Sequence, residues 1–202
     1  DAVAQELGIN PFDHRFFLNQ FYTGRFEGSF ANGVPFAENP SNGDCRVCGS
    51  LASLCGLEGA LKSSDSNAID EAVKRMLLLY GITFSIGGIP LLYSSDEIAK
   101  LNDYSYRDDE SKKHDDRWVN RIAVTAEDTS LALAESQAIT LQEKASLAVF
   151  TGLQKLLNIR KSHRVFGNAS TQILETGNQH CFAFLRENQE GSKLLVLSNF
   201  SE

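Results

Sequence analysis

The sequence predicts an α/β fold that gives way, from residue 166 onward, to antiparallel strands. Three observations carry this. Apolar residues recur at helical intervals through residues 69–80, as on a helix packed by one face. Two glycines, Gly87 and Gly88, then deliver the chain into a short apolar run at residues 89–93, the pattern of a parallel strand buried on both faces. Beyond residue 166 the period changes from helical to two.

Taken in chain order, residues 13–23 place Phe16, Phe17, Leu18 and Phe21 at mixed helical spacing behind Asp13, which can cap a short helix. Residues 25–49 hold four glycines, two prolines and three asparagines, so no single helix or strand can run through them. Phe26, Phe30, Val34, Phe36 and Val47 make the segment too apolar for a linker, so it reads as an ordered loop of the kind that carries function. A tightly packed helix is expected over residues 47–61, with Leu51, Leu54, Cys55 and Leu57 inward among small residues. The next helix is capped by Asp65 or Ser66, has Asp70 and Glu71 toward its positive end, and carries the stripe Ile69, Val73, Met76, Leu77 and Tyr80. After the apolar run, Ser94, Ser95, Asp96 and Glu97 stand where α/β sheets bind ligands, beyond the carboxyl ends of their strands. A long helix is expected over residues 138–163, with Ala145, Ala148, Leu153, Leu156 and Leu157 inward and Arg160 and Lys161 at its negative end. Residues 171–176, 181–187 and 193–200 read as strands separated by Gly/Asn turns, the start of a small second domain.

Composition excludes several classes. The 202 residues are 42% hydrophobic, enough for a sizeable core, and no apolar run approaches a membrane span. A net charge of -7 and a pI near 5.1 work against phosphate backbones as partners. Cys45 and Cys48 form a lone C-x-x-C; a structural zinc site would want a second close pair, but Cys55 and Cys181 are far apart from each other, and no histidine has ligand spacing. The cysteines are therefore read as free thiols in a reducing cytoplasm, and no metal or cofactor is expected. Residues 102–116 carry six acidic residues against three Lys or Arg and one His, without EF-hand spacing, and read as a solvated loop. At its end, Arg117 next to Trp118 can hold a carboxylate or pack in a wall. A chain that opens at Asp1 without an initiator Met or a signal segment is expected to be processed or part of something longer.

Three segments carry a family resemblance: FEGSFANGVPFAENPSNGDCRVCGS, GGIPLLYSSDEIAKLND and DDRWVNR, in this order. On these the chain resembles the C-terminal part of the amylosucrases, within the α-amylase superfamily (glycoside hydrolase family thirteen), over residues 13–202. One departure is Ser94-Ser95, where the family has a residue followed by Gly, so the turn there is expected to differ.

The resemblance implies an α/β fold: the C-terminal portion of a (β/α)8 TIM barrel with a helical insertion after strand seven, followed by the start of a C-terminal antiparallel β-sandwich. Residues 1–62 would be the insertion on the acceptor side, 63–165 the end of the barrel with its last strand at 89–93, and 166–202 the start of the β domain. The implied chemistry is retaining transfer of glucose from sucrose to an α-1,4-glucan with release of fructose. Sucrose and an α-glucan acceptor would be the partners, with no nucleic acid and no membrane. That reaction needs a nucleophile and an acid/base about 5 Å apart, and family members add a stabilising Asp. All three are expected upstream of Asp1, so no catalytic residue is assigned here and the isolated chain is expected to be inactive. Asp96 and Glu97 are not substitutes, because strand neighbours point to opposite faces. What the resemblance carries over is sugar binding: Arg25 and Arg46 on the acceptor side, and Arg117 closing the glucose pocket against an upstream Asp. A sucrose hydrolase and a non-catalytic glucan-binding or structural module are the alternatives. A truncated barrel leaves apolar faces uncovered, so the chain alone is expected to associate.

Overall fold

The computed structural model describes residues 2–133 and 140–201. A short helix α1 (Ala2–Glu6) precedes α2 (Pro11–Tyr22), which is capped by Asn10 accepting from Phe12 N at 3.0 Å, with Pro11 opening the helix. Asp13 lies inside the helix rather than at its cap, because proline at the first helical position fixes the entry one turn earlier. A two-stranded antiparallel hairpin follows, β1 (Val34–Phe36) against β2 (Arg46–Cys48). The helix expected over residues 47–61 is instead the end of β2 and two short helices, α3 (Leu51–Leu54) and α4 (Leu57–Ser63). Gly56 breaks them apart. It sits at φ 96° with the Phe30 side chain so near that a Cβ would lie 3.0 Å from it, a conformation and a space open to glycine alone.

The core is built on α5 (Ser66–Ser85), capped by Asp65, whose carboxylate accepts from Asn67 N at 2.9 Å and Ala68 N at 3.2 Å. Ile69, Val73, Met76 and Tyr80 of the expected stripe are buried, joined by Ala72 and Phe84, while Leu77 is half-buried. A short helix α6 (Ala126–Leu133) leads toward α7 (Leu141–Ser162), which opens with a capping box between Thr140 and Glu143. Residues 138 and 139, expected in this helix, lie outside the described residues. The buried face of α7 is Ala145, Val149 and Leu153, an i+4 series that leaves Ala148 exposed rather than inward. α5 and α7 meet where Gly152 lies under Leu77, close enough that a Cβ would sit 2.6 Å from both leucine methyl carbons.

Residues 89–93 run without helix or strand assignment, contrary to the strand expected there. An isolated apolar run has no ladder to join among the described residues, and Ile89 and Leu91 are 90% and 80% exposed. The turn that follows has Ser95 at φ 88°, ψ -18°, with Asp96 N donating to Tyr93 O at 3.1 Å. This is the third position of a type II turn, normally held by glycine. The backbone thus keeps a glycine conformation although a serine occupies it.

The expected change of period is present as a three-stranded antiparallel sheet in the order β3 (Ala169–Leu174), β4 (Cys181–Asn188), β5 (Lys193–Asn199). Phe184 and Arg186 of β4 are fully buried, whereas Leu195 and Leu197 of β5 are exposed. Among the described residues the sheets are these two, neither closed into a barrel. No helix among the described residues is long and apolar enough to cross a membrane, and no group of three or more His, Cys, Asp or Glu is placed to hold a metal ion.

Candidate functional site

The loop read as functional from its sequence folds into the β1–β2 hairpin. Its ends are tied down by one asparagine: Asn102 accepts from Ser50 N at 2.8 Å, donates through its amide to Asn32 O at 2.5 Å, and donates through its backbone to Ser53 Oγ at 2.9 Å. Ser53 Oγ in turn donates to the buried Glu58 carboxylate at 2.8 Å, which Tyr104 and Lys62 also reach. The Asn102, Ser53 and Glu58 side chains are all partnered, which holds the hairpin against α3 and α4, while the Asn32 side-chain oxygen stays buried without a partner. At the tip, Asn39 and Asn42 side chains accept from Ser41 N and Asp44 N, the local bonding that makes asparagine a turn residue.

Register places Phe36 directly opposite Arg46 and Val34 opposite Cys48, so these four side chains share one face. Val34 is buried there with Tyr106 and Val119. The Arg117 guanidinium lies 5.0 Å from the centre of the Phe36 ring while bonding Asp115 through two forks, at 2.7 and 2.9 Å. That paired arginine holds the Asp115 carboxyl below the usual carboxylate range. Asp115 also caps the 3-10 turn Asp116–Asn120. Arg46 is exposed and makes no ion pair or side-chain hydrogen bond among the described residues. Arg25 is spoken for: it forms a two-pronged pair with Glu38, one prong at 3.0 Å, which lowers the pKa of that carboxyl. Burial raises the nearby Cys45 thiol, with the Glu38 charge adding to it.

The three arginines named from the sequence therefore gather around one hairpin in different states. Arg46 and Arg117 flank Phe36, the first free and the second paired within the chain by Asp115. Arg25 stands bound to Glu38 on the strand side of the loop. The thiols of Cys45 and Cys48 are free; Cys48 closes β2 opposite Val34, and Cys45 lies just before that strand. Asp96 accepts from Tyr80 OH at 2.6 Å inside the protein. Burial raises its pKa, while Tyr80 and the Leu51 backbone N–H pull it back. It is a structural carboxylate.

A hollow of about 220 Å³ beside the hairpin was not foreseen. Phe12, Asp13, Arg15, Phe16, Asn42 and Asp44 line it. Arg15 Nε lies 3.5 Å from Asp44 Oδ1, and Asn19 also donates to Asp44 at 3.0 Å. The signal was present in residues 12–16, an arginine between phenylalanines on a helix that feeds the loop, but the turn that brings Asp44 across is a tertiary fact.

Among known proteins, the chain is similar to glucosylglycerate phosphorylase of Escherichia coli strain K12, with 26% identity over 133 residues, 66% of this chain. The relationship is distant and of the carbohydrate-active kind. The chain spans 22% of that protein's length. No protein-family model matches the chain. The comparison supports a glycoside-active kind of enzyme; the resemblance to the amylosucrases rests on the three quoted segments.

Proposed function

We propose that these residues belong to a glucosyl-transferring enzyme acting on an α-glucoside, and that the hairpin face bearing Arg46 and Phe36 lines the side of the site where the acceptor lies, with Arg117 beside it toward the glucose pocket. The observation that carries this is Arg46: a guanidinium fixed on a strand, beside an aromatic ring and a second arginine, with its hydrogen-bonding fork unspent. Sugar hydroxyls are suitable acceptors for such a fork. The distant relation to glucosylglycerate phosphorylase supports the glucosyl part. The resemblance of residues 25–49 and of DDRWVNR to the amylosucrases supports sucrose as donor and an α-glucan as acceptor.

The full-length protein that carries these residues should then release fructose from sucrose and lengthen an α-glucan. Free glucose in place of polymer would make it a sucrose hydrolase, and no fructose at all would reject sucrose as donor. The 202-residue chain by itself should release no fructose above background, because the resemblance puts the nucleophile, the acid/base and the stabilising Asp of this reaction upstream of Asp1. A second reading has its own support in the relative's name: phosphate, rather than a glucan, as the acceptor. Phosphate-dependent formation of a glucose phosphate by the full-length protein would favour it.

A further inference from the structure

Two arginines meet at the end of α5 without a carboxylate between them. Arg186, on the central strand β4, is 1% exposed, yet neither it nor Arg160 has an acidic partner among the described residues. Arg186 donates instead to neutral oxygens: Thr171 Oγ1, Phe166 O at 3.4 Å and Gly167 O at 3.2 Å, leaving its Nε buried and unpartnered. Arg160, from the last turn of α7, donates to Phe84 O and, at 2.8 Å, to Gly88 O. Its guanidinium also lies 5.9 Å from the centre of the Phe166 ring. Burying an uncompensated cation is costly. The compensation on offer is the negative end of the 20-residue helix α5, whose Phe84 carbonyl accepts from Arg160 and beyond which Gly87 lies under Arg186.

The geometry shows what the chain gains from the arrangement. Arg186 Nη1 occupies the space over Gly87, where a Cβ would stand 2.8 Å away. Arg160 grips the residues on either side, Phe84 and Gly88. The turn from Ile86 to Gly88 is thus held from α7 and from the sheet at once. It is the turn that aims residues 89–93, whose far end carries Tyr93, which accepts from Asn120 at 3.4 Å, and the buried Asp96.

We propose that Arg186 is a positioning residue: by pressing on Gly87 opposite Arg160, it makes the three-stranded sheet set the conformation of residues 86–98. This stands independently of the glucosyl reading. Arg186→Met removes the fork and keeps an apolar body of similar reach. Gly87→Ala attacks the same contact from the other side with Arg186 intact. Hydrogen exchange on the 202-residue chain reads both variants at the hydrogen-bonded amides of Ile86, Asp96, Ala99 and Lys100, with Ala72 to Tyr80 of α5 as reference. In each variant those four amides should exchange about tenfold or more faster while the reference stays unchanged, the mark of local rather than global opening. Exchange there within twofold of wild type, acceleration confined to β3–β5, or an equal rise across the chain would each overturn the proposal. If Arg186→Met does not fold, Gly87→Ala decides alone. Arg186→Lys, which keeps the charge but not the fork, should behave like Arg186→Met, and full restoration by lysine would also overturn it.

Discussion

Replacing Ser95 by glycine should stabilise the protein. Ser95 is 1% exposed and holds φ 88°, a region that costs a residue with a Cβ about 1–2 kcal/mol. Its hydroxyl makes no hydrogen bond among the described residues, so little is lost with it. Glycine brings a larger unfolded-state entropy, worth roughly 0.5–1 kcal/mol against the variant. The difference leaves a net gain of about 0.5–1 kcal/mol, or a rise in Tm of about 1–4 °C for a chain of this length. Urea unfolding followed by circular dichroism should show a higher midpoint with an unchanged slope. Ser95→Ala is the control: it removes the hydroxyl and keeps the Cβ, so its midpoint should stay within a few tenths of a kcal/mol of wild type. If Ser95→Gly lowers the midpoint, or if alanine stabilises as much as glycine, the strain argument fails.

The same Gly→Ala exchange should have opposite signs at two helical glycines. At Gly81 in α5 a Cβ meets nothing within 4 Å, so alanine should stabilise by about 0.5–1 kcal/mol. At Gly152 in α7 it would strike both methyl carbons of Leu77, and overpacking of about 1–3 kcal/mol should outweigh that gain; equal shifts in the two urea midpoints would contradict the packing. Asp96→Asn should remove a pH dependence. Because the native carboxyl titrates above its ordinary 3.8, the folded state binds the extra proton, so this contribution is present at low pH and lost as pH rises through the native value. Wild type should therefore lose stability relative to Asp96→Asn from about pH 4 upward, levelling off above the native value. A relative gain over that window would refute it.

What the sequence disclosed and what it withheld follow from the range of the forces involved. α5 was legible because its cap, Asp65, and its stripe from Ile69 to Tyr80 are local signals that agree. The strands β3 to β5 were legible as elements from their period and the Gly/Asn turns between them, but the buried face was not, since β4 buries Arg186 while β5 exposes Leu195 and Leu197. The hairpin was hidden, since Pro35 and Gly49 mask strands of only three residues each. Residues 89–93 have a strand's composition, but a strand needs a neighbour, and composition says nothing of where that neighbour is. The site arginines were visible as residue types. Which of them is spent on Glu38, which on Asp115 and which is left open depends on contacts between distant segments.

That division of the arginines is also the most direct test of the account. Calorimetric titration of maltooligosaccharides into the 202-residue chain should give heat of binding that Arg46→Ala abolishes and Arg25→Ala, already committed to Glu38, leaves largely intact. Binding unchanged by Arg46→Ala, or no binding in the wild-type chain, would contradict the hairpin face as the sugar-contacting wall.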